Sequence, residues 1–164
     1  MRKMNNVYQS MITFYAGDPK RIQHFVKVHS FAKLIGELEG LDERTQEILE
    51  VTAYVHDIGI RIAEAKYGRC TGKLQEEEGA TAVKILLAQL DYDQKLIERV
   101  SYIVGHHHSY SNIDGMDYQI LVEADFLVNM YENRTPEESM ISAYQKIFKT
   151  ESGKDICKTM FGSK

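Results

Sequence analysis

Asp125 sits in Ile120-Leu121-Val122-Glu123-Ala124-Asp125-Phe126-Leu127-Val128, a run suited to a protein interior. Helical spacing puts Leu121, Asp125 and Val128 on one face, and an ionised carboxylate buried there costs on the order of several kcal/mol unless it is compensated. An Arg or Lys, a metal ion or a retained proton would each satisfy it. His56 and Asp57 end a second apolar run that includes Ile48, Leu49, Val51, Ala53, Tyr54 and Val55, and Gly59 follows closely. A neutral imidazole and a carboxylate, adjacent where a buried helix opens, can both reach one hard or borderline metal. His24 extends the apolar line Val28, Phe31, Ile35 and Leu38 by one turn and is expected to face inward. His24, His56, Asp57 and Asp125 then form a His2Asp2 set on three helices. For Asp125 alone, a salt bridge remains the competing account.

The elements that must carry these groups are all helical. Asp18-Pro19 reads as an N-cap and first-turn proline for a helix that runs to a stop at Gly40, and Asp42 caps the next. That second helix is apolar on nearly every side, the mark of a central helix. Ile60 to Leu74 contains glycines and basic residues and reads as an irregular loop or lid. A helix then runs from the Gln75-Glu76-Glu77-Glu78-Gly79 segment to near Leu90. Another, from Asp93, carries the stripe Leu96, Val100 and Ile103, with His107 as its next inward position, His106 second and His108 turned toward the loop. Asp117 to Glu132 is the helix of Asp125. Thr135-Pro136-Glu137-Glu138 predicts an N-cap, a first-turn proline and a capping-box glutamate, and a short helix is expected around Asp155 to Phe161. With no period-two pattern or internal repeat, the expectation is one all-α domain over residues 1–164, a bundle of about six to eight helices with residues 135–164 as a C-terminal extension.

Composition narrows the partners. The 164 residues are 43% apolar and 27% charged with two prolines, which argues against disorder, and the net charge of −4 comes with dispersed basic residues. No nucleic-acid polymer is therefore expected as partner, and no stretch offers the roughly 18 apolar residues of a membrane span. Cys70 and Cys157 fit no CxxC or zinc-ribbon spacing and read as free thiols of a reducing compartment, so a cytoplasmic location is expected.

His24 in His24-Phe25-Val26-Lys27-Val28, the doublet in Ala53-Tyr54-Val55-His56-Asp57-Ile58-Gly59, and the late aspartate in Val122-Glu123-Ala124-Asp125 occur in an order and at separations that resemble the HD superfamily of metal-dependent phosphohydrolases. The resemblance spans about Arg21 to Val128. It implies a helical bundle, a divalent metal (Mn, Fe, Co, Ni, Zn or Mg) and hydrolysis of a phosphate ester or anhydride, often in a nucleotide. One departure stands out. Many two-metal members have a further histidine before the Gly-Ala pair of a helix, and the equivalent position before Gly79-Ala80 is Gln75, a poor ligand for a transition metal. His106 or His107 resembles the later histidine pair of the family. One firmly held metal is expected, with a second in doubt.

Metal-assisted hydrolysis would then need a proton-handling group, for which Asp57, Glu76 and His107 are the candidates. Glu76 shares the line of Ala80, Val83, Leu87 and Leu90, unlike Glu77 and Glu78; helix N-terminal complementation is its alternative role. Arg61 and Lys66, just after the doublet, are candidates to bind the phosphate of a small phosphorylated substrate. His29 is read as an ordinary helix residue. Two other functions fit the resemblance: paired-iron oxygen chemistry, which Gln75 disfavours, and a noncatalytic sensor of metal and nucleotide.

Overall fold

The computed structural model describes residues 2–162. Nine helices occur among them: α1 (Arg2–Phe14), α2 (Pro19–Leu38), α3 (Glu43–Val55), α4 (Gly59–Tyr67), α5 (Gly72–Gln89), α6 (Gln94–Val104), α7 (Met116–Glu132), α8 (Glu137–Lys146) and α9 (Glu151–Phe161). No strand occurs among the described residues, as the sequence predicts.

The caps explain most boundaries. The Asp18 carboxylate accepts from the Arg21 N–H and Asp42 from that of Thr45, so α2 and α3 start where their short acidic side chains satisfy free backbone donors. α2 ends in a Schellman turn: Leu41 N–H donates to Gly36 O, Gly40 N–H to Glu37 O, and Gly40 takes the left-handed φ of 71° that this turn needs. Leu38, at that frayed end, is exposed rather than inward.

Three boundaries depart from expectation. The stretch Ile60 to Leu74 is no lid: most of it is α4, which buries Ile60 and Ala63 and ends at Gly68 with φ 68°. Arg61 and Lys66 are the outer face of this short amphipathic helix, a pattern that nine residues display too briefly to separate from a loop. α8 starts after Pro136, which itself holds the cap position in extended backbone, so Thr135 caps nothing. α9 begins at Glu151, earlier than expected, because Thr150 is its cap and accepts from Gly153 N–H.

Two apolar clusters surround the central helices. One joins Val28, Ala32 and Ile35 of α2, Leu49 and Ala53 of α3 and Ile120 to Val128 of α7, closed by Phe148 and Cys157. The other joins Val7 and Met11 of α1 with Phe25, Val51, Val55, Val83, Leu87 and the apolar face of α6. α7 is buried without interruption from Asp117 to Asp125 and carries two acids into the interior with opposite fates. Glu123 faces α9, where it accepts from Gln119 Nε2 at 2.7 Å and from Thr150 Oγ at 2.8 Å, and burial raises its pKa. Asp125 faces the site described next.

Candidate metal centre

Between the two clusters, four side chains from α2, the α3–α4 turn and α7 converge. His24 Nε2 lies 3.3 Å from His56 Nε2, 3.1 Å from Asp57 Oδ2 and 3.2 Å from Asp125 Oδ1. His56 Nε2 lies 3.4 Å from each of the same two oxygens. His56 is fully buried, and Asp57 and Asp125 keep little side-chain exposure. The structure thus brings together all four members of the His2Asp2 set.

Each imidazole is oriented by a bond on its other nitrogen. His56 Nδ1–H donates to Ala53 O at 2.8 Å, and His24 Nδ1–H to Glu132 Oε1 at 2.5 Å. Both Nε2 atoms therefore turn their lone pairs to the centre once deprotonated. Glu132 is also 3.2 Å from Lys27, and Asn129 Nδ2 donates to Asp125 Oδ1 at 2.9 Å. The Tyr15 hydroxyl donates to Asp57 O at 2.7 Å and ties the doublet to the end of α1. Sequence reasoning passed over Glu132 and Asn129, although they follow Asp125 at seven and four residues on its own helical stripe, where an inward acid would look for partners.

The donor set fits a divalent cation. Atoms held about 2.0–2.2 Å from one ion, at angles near those of a tetrahedron or octahedron, lie about 2.8–3.6 Å apart, which is the range seen here. Two imidazole nitrogens and two carboxylate oxygens suit Zn, Fe, Co, Ni or Mn. In a metal-free form the four groups would set one another's protonation. Burial opposes charge on His24, but hydrogen bonds to Asp125 and Asp57 outweigh it and raise its pKa to about 10. His56 is likewise raised despite burial, chiefly by the charge of Asp57 and its bond to Asp125, while both carboxylates are pulled well below their usual range against the effect of burial.

This sets a pH dependence. An ion needs neutral imidazole, so at pH 7 its uptake displaces protons, and apparent affinity should climb with pH toward about 10, by up to about tenfold per unit for each proton released. Calorimetric titration in buffers of different ionisation enthalpy counts those protons; no release would contradict the proton-sharing cluster. For the metal-free protein the signs follow from the shifts. The raised His24 contributes stability that is full below its ordinary 6.5 and is lost as pH rises through about 10. The depressed aspartates contribute stability above about 4 that is lost on acidification.

Beside this cluster stands a second group. Asp57, His107 and His108 offer ligand atoms within 4.8 Å of one another. His107, nearly fully buried, donates through Nδ1 to Val104 O at 2.7 Å and turns Nε2 to within 3.6 Å of Asp57 Oδ1. His108, not His106, is its companion. α6 stops at Val104, so helical spacing no longer applies beyond it; the turn leaves His106 exposed and stacked on Tyr102 while His108 Nε2 reaches Gln75 Oε1 at 2.9 Å. Burial and the neighbouring His107 push the His108 pKa down to about 4.

The inward line of α5 is Gln75, Gly79, Val83 and Leu87, one position earlier than the line expected to carry Glu76. Glu76 accepts from His108 N–H at 3.1 Å and lines an outward cavity with Lys84, Glu98 and Tyr102, so it braces the histidine turn and stays outside the ligand cluster. Arg61 and Lys66 also find other partners. The Arg61 guanidinium donates to Phe14 O and Ala16 O, the free carbonyls past α1, and Lys66 pairs with Glu78 at 3.0 Å. Because α4 is a helix rather than a loop folding over the pocket, both chains project outward. Arg21, one turn before His24, is half-buried and 3.8 Å from Glu64, while Lys27, one turn after it, is taken up by Glu132. His29 stacks on Tyr54 and bonds Glu50, apart from the centre.

The HD domain family pattern matches residues 21–149. The chain belongs to the HD domain family. A crystal structure of a predicted HD superfamily hydrolase from an uncultured Thermotogales bacterium is similar to this HD domain, with a TM-score of 0.68 at 24% identity over 97% of this chain and 83% of that one. No curated protein matches the chain. Among the described residues no helix is long and apolar enough to cross a membrane.

Glu132 yields a prediction here. Glu132→Gln keeps the side chain's shape but weakens the acceptor that orients His24, so metal affinity should fall about 10–100-fold with the fold intact. Competition with a fluorescent chelator measures it, and an unchanged affinity would show that Glu132 only neutralises Lys27.

Proposed function

We propose that this HD domain is a metal-dependent hydrolase of phosphate esters or anhydrides in small molecules, with nucleotides as the first class to test. The observation that carries this reading is the convergence of His24 Nε2, His56 Nε2, Asp57 Oδ2 and Asp125 Oδ1, with each imidazole nitrogen 3.1–3.4 Å from the other and from both carboxylate oxygens, at a buried site whose imidazoles are locked by Ala53 O and Glu132. Those four residues would hold the ion. When bound, a divalent ion supplies Lewis acidity, lowering the pKa of water and offsetting charge on a phosphoryl oxygen.

The protein's own groups supply the rest. His107 Nε2 is the acceptor we assign to the proton leaving water: its Nδ1–H is committed to Val104 O, so Nε2 carries the lone pair, and it must exchange its 3.3 Å contact with the Gln75 amide nitrogen for that proton, with Asp57 Oδ1 at 3.6 Å beside it. Arg21, with only a loose partner in Glu64, is the group we assign to the phosphate in place of Arg61 and Lys66.

Stripping the protein with a chelator should abolish hydrolysis of nucleotides and phosphomonoesters, and one of Mn, Co, Ni, Zn, Fe or Mg should restore it. Turnover that survives removal of the metal would count decisively against this reading. Stabilisation by a nucleotide with no product across the metal series would instead support a sensor.

A further inference from the structure

The second group beside the metal centre contains a residue whose chemistry is the reverse of a ligand's. Gln75 is 5% exposed, and its amide lies among the three side chains that could otherwise share a cation with one another. Gln75 Nε2 donates to Asp57 Oδ1 and lies 3.3 Å from His107 Nε2, while Gln75 Oε1 lies 2.9 Å from His108 Nε2.

The orientation of this amide follows from its neighbours. His107 spends its Nδ1–H on Val104 O, so its Nε2 offers a lone pair, and Asp57 offers a carboxylate oxygen. Both need a donor. The reversed amide would set its oxygen against a carboxylate and a lone pair, whereas the observed one meets both with N–H and leaves its oxygen to accept from His108 Nε2–H. Two donors and one acceptor are thus matched by two acceptors and one donor. An amide nitrogen does not ligate metals, and admitting an ion here would break all three contacts at once. The backbone adds rigidity, because Gly59 packs directly against the Gln75 carbonyl at the crossing of α4 and α5.

We propose that the Gln75 amide stands in for a second cation between Asp57 and the His107–His108 pair, so that the centre takes one divalent ion, and that this single side chain sets the number. The inference rests on the reading that the His24 end holds an ion. Gln75→Glu has nearly the same shape, yet it places a carboxylate against Asp57 Oδ1 and the His107 lone pair, and a second cation relieves that repulsion.

Mn2+ is the probe, followed by calorimetric stoichiometry, elemental analysis after dialysis and electron paramagnetic resonance of the full chain. The wild type is expected to take one Mn2+ with the spectrum of an isolated ion. Gln75→Glu is expected to take two with a spin-coupled spectrum, and adding His108→Ala should return it to one. Should Gln75→Glu fail to fold, Gln75→His applies the same test with a neutral ligand. Two ions in the wild type would overturn this proposal alone, as would a folded variant that still takes one. A wild type that takes none would overturn the metal reading itself.

Discussion

Asp57→Asn is expected to retain the fold, lose its bound metal on dialysis and lower hydrolysis by at least about 10³-fold. Asp57 is the one side chain shared by both groups: Oδ2 faces His24 and His56, and Oδ1 faces Gln75 and His107. Loss of a residue that merely orients a ligand typically costs about 10–100-fold in affinity or activity. A direct ligand that also carries the charge opposing two imidazoles must cost more. Stability should suffer less than activity. Breaking a buried ion pair costs about 3–5 kcal/mol when a charge is stranded, but the imidazoles here can shed their protons and escape that penalty. Elemental analysis, turnover and thermal unfolding are to be compared on one preparation. Full metal content in the folded variant would remove Asp57 from the ligand set.

The second large effect is on the fold. A Cβ at Gly59 would overlap the Gln75 carbonyl oxygen and lie 2.7 Å from the Gly79 nitrogen. Both obstacles are backbone of α5, so no rotamer change relieves them, and α4 must move away from α5. Gly59→Ala should therefore cost about 3 kcal/mol or more, at or beyond the upper end of overpacking. For a chain of this length that lowers Tm by about 6–12 °C. It should also weaken metal binding, since Gly59 follows Asp57 by two residues and the displaced carbonyl belongs to Gln75. Gly72→Ala is the matched control. The nearest atom to its Cβ is 3.7 Å away, so it should be neutral or slightly stabilising at the start of α5. Equal Tm values for the two variants would mean that the close crossing does not form.

The His2Asp2 cluster was largely legible in the sequence. Apolar runs force whatever polar residue they contain to be paired, and Asp125, His56-Asp57 and inward-facing His24 could be selected by that argument before any coordinates. Caps such as Asp18 and Asp42 announced their helices because an N-cap is a contact between residues three apart. Helical spacing did not settle which residue beside these faces the site. His108 replaced His106 because α6 ends at Val104, and Gln75 replaced Glu76 because the register of α5 is set by its tight crossing with α4 at Gly59 and Gly79.

By itself the sequence determined the all-helical class and the four residues that converge, since both follow from local periodicity and the cost of burying charge. Only the tertiary structure decided which neighbours complete the site. Glu132 bonds His24 across 108 residues, and the amide of Gln75 meets Asp57, His107 and His108 across 18, 32 and 33. Such partnerships depend on how helices cross, and helix crossings are fixed by side-chain packing over the whole domain, which no local pattern records.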